Sequence, residues 1–441
     1  MIEKLVSTLW GNLKGDEARK FFYLSVGAFF LVGAQWPIRV LRDSIFINTV
    51  GSAFQPNVKM LSLVICLPIT LIYTALVTWV SREKTLYVIS GMLSLVGSFF
   101  AVLIFMWSRG SIVDATMLGW GFYIFSEAFD VMTVAPYWAF INDITYPGEA
   151  KRGYGLVVFA SQLGGFFFTG AGNAFTRTCG SYLGKMSVVA LIASLLLPFF
   201  AFFVWKTMHT VRRQNLVGYM TLEEAEEGVR TYERTGFMSG IRLLFSKPYV
   251  GGIFAITASR EIIATLTSYR LYRAVEIGYT DAAVRHLFFF NYSLVTQFIA
   301  VLFALFGTSF IQRKFGIRFS LMAYPIFLAF CAFVATIMCN SVLIVAAVVA
   351  ASKALHYTLN KPAREVLYIP TSTDVKYKSK AWIEAFGIRS AKMVGSALNK
   401  TVTSVPALGG IIFGVAGTWV FIAGAVGYVY HSIVKDRERI G

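Results

Sequence analysis

The sequence predicts an all-α membrane protein that crosses the bilayer many times, and three observations lead to this fold class. Hydrophobic residues make up 56% of the 441-residue chain and charged residues only 14%, whereas about a quarter of the residues in a soluble domain are charged. The mean hydropathy is +0.64. Apolar runs of about 20 residues, the length that a helix needs to span a bilayer, recur along the whole chain. Lipid is therefore the expected solvent of most of its surface.

Twelve apolar segments are long enough to be membrane-spanning helices, six in each half of the chain. We interpret them as six-helix bundles at residues 1–206 and 249–441, joined by a cytoplasmic linker at 207–248. The basic loop after segment 2 resembles the loop after segment 8, and the loop after segment 4 resembles the loop after segment 10. Such repeats are typical of the major facilitator architecture, which binds its substrate between the halves near the membrane midplane. The segments are centred at Phe30, Leu71, Val96, Phe129, Gly164, Leu196, Thr265, Val295, Phe327, Val349, Val394 and Val420.

The linker contains Thr221-Leu-Glu-Glu, a capping-box pattern that predicts a short amphipathic helix. This helix has two interpretations. It is either part of a plain connection between two bundles or a surface for a regulatory partner. A membrane scaffold that binds a partner through this segment and moves no substrate is therefore one alternative function.

The formal net charge of +17 has an ordinary explanation in a membrane protein. Most of the 40 Lys and Arg residues fall in segments that face the cytoplasm if the N-terminus does, and cytoplasmic loops collect positive charge. We therefore expect both termini in the cytoplasm and no nucleic-acid partner. The sequence has no Walker A loop, hydrolytic triad or metal-ligand cluster. Transport without a cofactor or a metal is expected, rather than catalysis.

The first apolar segment ends with closely spaced charges. Arg39 and Arg42 are three residues apart, and Arg39 and Asp43 are four apart, so all three share a helix face. Two guanidinium groups at this spacing can hold a phosphate or a carboxylate through paired hydrogen bonds. The alternative is a helix end at the membrane surface, with Arg39 and Asp43 as a local ion pair.

Charged residues lie deep in segments 4 and 7, two acids in the first and an arginine next to a glutamate in the second. An ionisable side chain in hydrocarbon costs several kcal/mol, so it must line a cavity or find a partner. Glu127 and Asp130 are expected either to pair with arginines across helices or to bind a proton or cation. Arg260 and Glu261 are neighbours that point about 100° apart on a helix. We therefore expect each of these two to contact a different partner.

Segments 10 and 11 carry further basic residues. Pro362 should kink or break its helix just before Arg364. Arg389 and Lys392 share a face, and small residues such as Gly395 beside them let a neighbour or ligand approach. Together with the arginines of segments 1 and 7, these groups disfavour a cationic substrate. They favour an anion with several negative charges, because each charge offsets a desolvated cation.

These stretches resemble the nucleotide transporter family, the ATP/ADP translocases of obligate intracellular bacteria and plastids. Leu41-Arg-Asp-Ser resembles the family's Leu-Arg-Asp-Thr-Lys-Asp. Tyr137-Trp-Ala-Phe-Ile-Asn-Asp-Ile-Thr and Glu149-Ala-Lys-Arg-Gly-Tyr resemble its Trp-x-Phe-Ala-Asn-x-Ile-Thr and Glu-Ala-Lys-Arg-Phe-Tyr. Pro362-Ala-Arg-Glu-Val-Leu-Tyr-Ile-Pro resembles Pro-Thr-Lys-Glu-Met-Ala-Tyr-Ile-Pro, and Arg389-Ser-Ala-Lys-Met-Val-Gly resembles Arg-Leu-Gly-Lys-Ser-Gly-Gly. The matches keep their order over nearly the whole chain.

The resemblance implies a major-facilitator-like fold and the transport of nucleotides across the bacterial inner membrane, typically ATP in exchange for ADP plus phosphate. It also implies that Glu127, Lys392 and Glu261 fall at charged positions used in transport. The chain departs from the family at Ile45-Phe46, where the family has Lys-Asp. Either Arg39, one turn earlier, replaces that lysine, or the substrate carries fewer phosphates or is a nucleotide-containing metabolite such as NAD. The expected site residues are Arg39, Arg42, Arg260, Arg364, Arg389 and Lys392 for phosphates, Glu127 and Glu261 as their partners in the empty state, and Tyr137 or Trp138 for the base.

The coupling and the exact substrate stay open at this point. An alternative to exchange is proton-coupled import of a nucleotide or of a nucleotide-containing metabolite such as NAD, with Glu127 or Asp130 carrying the proton. The expected partners are a nucleotide and the lipid bilayer. The sequence leaves the oligomeric state open, and a monomer would suffice.

Overall fold

The computed structural model describes residues 15–79, 82–145, 147–178, 181–212, 216, 246–306, 308–337, 341–368, 379, 382–402 and 404–440. Every regular element in these ranges is helical. The first helices are α1 Gly15–Thr49, α2 Gln55–Trp79, α3 Arg82–Ser108, α4 Thr116–Asp143, α5 Pro147–Thr176 and α6 Tyr182–Thr210. They are followed by α7 Pro248–Gly278, α8 Ala282–Phe306, α9 Thr308–Ile337, α10 Val342–Leu355, α11 Lys361–Val366, α12 Ile388–Thr401 and α13 Val405–Ile440. A 3-10 turn covers Ser52–Phe54, and π-helical turns cover His356–Asn360 and Ile383–Gly387.

The chain is a multi-pass membrane protein. Seven helices in the described part combine the length and the apolar composition needed to cross a bilayer. Each of the twelve predicted segment centres falls within a described helix. That the chain has twelve spans, arranged as two six-helix halves, stays a prediction. The division into 1–206, 207–248 and 249–441 also stays a prediction. The predicted helix that starts at Thr221 lies outside the described residues.

The helices form two compact units by contact. Unit 1 comprises Met1–Gly51, Val64–Val229 and Tyr279–Leu305, and it contains α1, α3, α4, α5, α6 and α8. Unit 2 comprises Ser52–Leu63, Arg230–Gly278 and Phe306–Gly441, and it contains α7 and α9 to α13. The grouping follows contacts rather than chain order, since α8 packs within unit 1.

Helix α1 lies at the centre of unit 1 and packs against α4, α5 and α6. A side chain on Gly164 of α5 would come within 2.7 Å of the carbonyl carbon of Phe29, so glycine permits close contact between α5 and α1. Helix α4 runs antiparallel to α1, because Tyr137 bonds to the Leu24 carbonyl near one end and Gly119 packs on Thr49 near the other. This pairing brings the charged middle of α4 beside Arg39 and Arg42.

Helix α8 is joined to unit 1 by polar contacts near the C-terminal ends of α1 and α5. His286 Nδ1 lies 3.0 Å from Ser44 Oγ, and Arg285 Nη1 lies 3.3 Å from Asn48 Oδ1. On α5, Asn173 Nδ2 donates to Asn291 Oδ1 at 2.9 Å. These bonds give polar side chains of α8 partners on α1 and α5.

In unit 2, α7 packs against α10, α12 and α13. Glycine again sets the spacing, because a side chain on Gly395 of α12 would come within 2.9 Å of Thr265 on α7. The small residues predicted to admit a neighbour on α12 therefore do so. Pro362 follows the first π-helical turn, in which the Lys361 N–H bonds to the carbonyl of His356. The expected disturbance of the helix at Pro362 is thus a widened turn, which leads into α11.

Candidate functional site

Arg39 and Asp130 form an ion pair between α1 and α4. Arg39 Nη2 and Nε each lie 2.9 Å from Asp130 Oδ2, which is a two-pronged contact. Gln35, one turn earlier on α1, donates to Asp130 Oδ1 at 2.8 Å. The guanidinium carbon of Arg39 lies 5.5 Å from the centre of the Trp36 ring. Arg39 is thus held between a carboxylate and an aromatic ring.

Arg42 repeats this arrangement one turn further along α1. Its Nη1 donates to Glu127 Oε1 at 3.0 Å, and its Nε donates to Asp43 Oδ1 at 2.8 Å. The guanidinium carbon lies 4.9 Å from the ring centre of Tyr123 on α4. The side chains of Arg42 and Glu127 are only 13% and 14% exposed. A carboxylate and a ring therefore fix this largely buried cation in place.

The two pairs correct the expectation for the end of segment 1. Helix α1 continues to Thr49, so Arg39 and Arg42 lie inside the helix rather than at its end. The local Arg39–Asp43 pair is wrong, because Arg39 pairs with Asp130 and Asp43 pairs with Arg42. Both acids of α4, Glu127 and Asp130, pair with arginines of α1, which is one of the two alternatives expected for them.

The departure at Ile45-Phe46 is accommodated by apolar packing. Both residues are 0% exposed. The Phe46 ring lies 5.1 Å from Tyr123 and 5.7 Å from Trp120, both on α4. These side chains thus fill a buried apolar site in the turn after Arg42. Arg39 also has its own carboxylate, Asp130, within unit 1.

The two aromatic candidates for base stacking have different positions. Tyr137 is 2% exposed, donates to the Leu24 carbonyl at 2.5 Å and packs edge-on against Phe200. It is therefore a packing residue between α1, α4 and α6, and its proposed role in stacking is corrected. Trp138 is half-buried and packs edge-on against Tyr154 of α5. Its role stays a prediction.

Arg260 and Glu261 on α7 begin the second group of charges, in unit 2. The Arg260 Nη1 and Glu261 Oε1 atoms form an ion pair. The expectation that these two do not satisfy each other is wrong, because the arginine chain is long enough to fold back to its neighbour. Arg260 also has a second partner, Tyr324 on α9. The two side chains are 13% and 7% exposed. Helix α7 thus presents a buried cation with its counter-charge beside it.

Arg364 on α11 lies against α7. It is 5% exposed, and its Nη1 donates to Thr257 Oγ1 at 3.2 Å. Along the same strip of helix, Asn360 Nδ2 lies 3.2 Å from His356 Nδ1. The π-helical turn at His356–Asn360 brings these groups into line with Arg364, and such turns are frequent at functional sites.

Arg389 and Lys392 lie on α12, three residues apart and each partly buried. Helix α12 packs on α7, the helix that carries Arg260. The structure thus keeps five of the ten predicted site residues in unit 2, on α7, α11 and α12, and the other five in unit 1. No cluster of three or more metal-binding side chains occurs in the described part of the chain.

Sequence reasoning missed several residues that complete these groups. Gln35 holds Asp130, Tyr123 lies under Arg42, and Thr257 accepts from Arg364. Spacing could have indicated each of them, because Gln35 and Asn360 lie four residues before an arginine, Tyr123 lies four before Glu127, and Thr257 lies three before Arg260. Residues at these spacings share a helix face with the predicted charge.

Fold and charge together define a class: a multi-pass helical transporter whose interior cations are suited to an anion. The family is reached by comparison. The sequence pattern of the TLC ATP/ADP transporter family matches residues 112–430. The chain therefore belongs to this family, which confirms the resemblance seen in the motifs.

Named relatives cover almost the full chain at low identity. The chain is 19% identical to ADP,ATP carrier protein 1 of Rickettsia prowazekii (strain Madrid E), over 99% of this chain and 98% of the relative. It is 20% identical to ADP,ATP carrier protein 3 of Rickettsia bellii (strain RML369-C), over 91% of this chain and 90% of the relative.

Solved structures of other membrane transporters share this fold. A mutant form of the nucleoside transporter NupG matches with a TM-score of 0.59 at 14% identity, over 93% of this chain and all of the other. The xylose transporter XylE from E. coli, in an inward-open conformation, matches with a TM-score of 0.59 at 12% identity, over 91% of this chain and 94% of the other.

Proposed function

We propose that this protein is a secondary transporter that exchanges nucleotides such as ATP and ADP across the bacterial inner membrane by alternating access. The observation that carries the proposal is the arrangement of Arg39 and Arg42, two partly buried guanidinium groups one turn apart, each held by a carboxylate of α4. Phosphate oxygens match the geometry of a guanidinium as carboxylate oxygens do. A phosphate can therefore take the place of Glu127 or Asp130 without leaving the arginine uncompensated.

The second group of charges supports the same substrate class. Arg260 and Arg364 are largely buried in unit 2, and Glu261 supplies one counter-charge. We propose that Glu261 and Glu127 pair with the cations in the empty protein and release them when substrate arrives. Arg389 and Lys392 on α12 are proposed to add to the phosphate-binding charge. Family membership supports nucleotides over other polyanions.

Exchange is proposed rather than proton-coupled import because both acids of α4 already have basic partners. Asp130 contacts Arg39 and Gln35, and Glu127 contacts Arg42. A proton on either acid would remove the counter-charge of its arginine without supplying another, whereas an incoming phosphate brings its own negative charge. If an uncoupler stopped uptake in the absence of internal nucleotide, proton coupling would replace exchange in this account.

The orientation and the order of the chain are also proposals. Both termini are proposed to face the cytoplasm, which the excess of Lys and Arg in the assigned loops supports. The chain-order division into two six-helix bundles is supported by the similar loops after segments 2 and 8 and after 4 and 10. A reporter enzyme fused to the C-terminus, active on only one side of the membrane, tests the orientation.

The test of function is uptake by cells that express the full chain. Labelled ATP, ADP, GTP and NAD are supplied separately, and each is also used unlabelled as a competitor. Saturable uptake of at least one nucleotide, competed by its unlabelled form, is the expected result. Absence of saturable uptake and of competition by every nucleotide, with the protein present in the membrane, would contradict the proposal.

A further inference from the structure

Asn360 is a buried amide with one hydrogen-bonding atom in use and one without a partner. It is 0% exposed, and its Nδ2 donates to His356 Nδ1. Its Oδ1 has no hydrogen-bond partner among the described residues. A buried acceptor without a partner is costly, so each such group calls for an explanation. The free position on Asn360 is an acceptor, which requires an O–H or N–H donor.

Asn360 lies near the basic residues of unit 2. Arg364 lies four residues further along the chain and His356 four residues before, so the three side chains follow one strip of the helix. Arg364 contacts Thr257, which lies one turn from Arg260 on α7. Arg260 Nε is likewise buried and without a partner in the described part of the chain. The unused acceptor thus lies on the same strip as Arg364, and the contact of Arg364 with Thr257 connects that strip to the helix that carries the unused Arg260 donor.

A nucleotide combines the two complementary groups. Its phosphates are acceptors for guanidinium groups, and its nucleoside part carries hydroxyl donors on the ribose and an amino donor on the base. Resting on the proposed function, we propose that Asn360 Oδ1 accepts a hydrogen bond from a donor of the nucleoside part while Arg364 and Arg260 bind phosphate. His356 positions Asn360 by accepting from its Nδ2. This contact distinguishes a nucleotide from an inorganic polyphosphate.

A free acceptor alone does not mark such a site, and Asn399 shows the difference. It is 3% exposed, its Nδ2 donates to the carbonyl of Thr265, and its Oδ1 also lacks a partner in the described part of unit 2. Asn399, however, is anchored to the backbone of α7 rather than to a residue of the basic strip. It therefore provides a matched control, with the same residue type and burial.

The experiment measures how well analogues compete with labelled ATP for uptake by cells that express the full chain. The competitors are ATP, 2′-deoxy-ATP, 3′-deoxy-ATP and purine riboside triphosphate, which lacks the 6-amino group. One neutral hydrogen bond changes affinity by up to about tenfold. We expect one analogue to compete about tenfold less well than ATP with the unchanged protein, and that analogue identifies the donor as a ribose hydroxyl or the base amine.

The Asn360→Leu variant should lose this discrimination, so that ATP and the weak analogue compete equally. Asn399→Leu should keep it. Equal competition by all analogues with the unchanged protein overturns the inference, as does a variant at position 360 that discriminates as the unchanged protein does. If Asn360→Leu does not reach the membrane, Asn360→Ser replaces it, and the analogue series with the unchanged protein still decides. Failure of ATP itself to be taken up would instead contradict the proposed function.

Discussion

Arg42 Nη1 donates to Glu127 Oε1 at 3.0 Å, across the contact between α1 and α4. The same guanidinium lies over the ring of Tyr123 and also bonds to Asp43. The cation is therefore oriented before any substrate arrives, and its side-chain counter-charge can be exchanged for a phosphate. Preorganisation of this kind reduces the entropic cost of binding.

Loss of Arg42 should affect stability and transport in separable ways. Arg42→Ala leaves Glu127 buried without its cation, and removing one partner of a buried pair costs about 3–5 kcal/mol. We expect a lower melting temperature in detergent and loss of nucleotide uptake. Adding Glu127→Gln should restore part of the melting temperature, because Asp43 still lacks Arg42, but it should not restore the uptake. Arg109→Ala, in an exposed loop, is the control. Normal uptake by the double variant would mean that Arg42 is only structural.

Loss of Glu261 should tighten nucleotide binding and slow exchange. Glu261→Gln removes the counter-charge of Arg260, so an incoming phosphate no longer competes with a carboxylate. Removing the competition between one carboxylate and a phosphate for Arg260 should change the affinity for ATP by about tenfold or less. ATP titration of the purified protein and the rate of ATP exchange measure the two effects. Glu276→Gln, which alters another paired acid of α7, should leave ATP affinity unchanged. Weaker ATP binding by Glu261→Gln would contradict this role.

Restoring the family lysine at position 45 should harm this protein. Ile45 is wholly buried, and the Phe46 ring beside it packs on Trp120 and Tyr123. Burial of an unpaired ammonium costs several kcal/mol, so Ile45→Lys should lower the folded yield and the melting temperature. Ile45→Val, which keeps the apolar character, should cost about 0.5–1.5 kcal/mol. An Ile45→Lys protein that folds normally and transports faster would show that the site admits a charge.

Close contact between α1 and α5 should depend on Gly164. A side chain there would collide with the backbone of Phe29, and backbone cannot move aside as a flexible side chain can. Overpacking of this kind costs about 1–3 kcal/mol, so Gly164→Ala should lower the melting temperature and the uptake. Gly91→Ala on α3 has open space around it and should be tolerated. Similar melting temperatures for the two variants would remove the argument for close packing at Gly164.

The sequence predicted the helices better than it predicted their neighbours. Apolar length alone placed the centre of each segment in a described helix, because hydrocarbon requires every backbone group to be bonded within its own helix. The same reasoning found the buried arginines and acids. It did not find that Arg39 pairs with Asp130, because the partner depends on how α1 and α4 align in three dimensions. Spacing along one helix carries no information about that alignment.

Local rules also failed where side chains are long or the helix changes type. The 100° separation of neighbouring residues describes where side chains start, yet Arg260 and Arg42 each reach the adjacent acid. Pro362 predicted a disturbance, but the widened turn at His356–Asn360 that aligns Asn360 with Arg364 has no sequence signature. Tyr137 lies in a family motif and was therefore predicted to stack on the base. Its packing against Phe200, between α4 and α6, places it in the interior instead.

Exchange of ATP for ADP across a reconstituted membrane is the direct test of nucleotide exchange through the Arg42 site. Purified protein is placed in vesicles loaded with ADP or left empty, and the entry of labelled ATP is followed with Arg42→Ala as the inactive control. We expect rapid entry only when ADP is inside and the arginine is present. Equal entry into empty vesicles, or entry that is unaffected by Arg42→Ala, would contradict it.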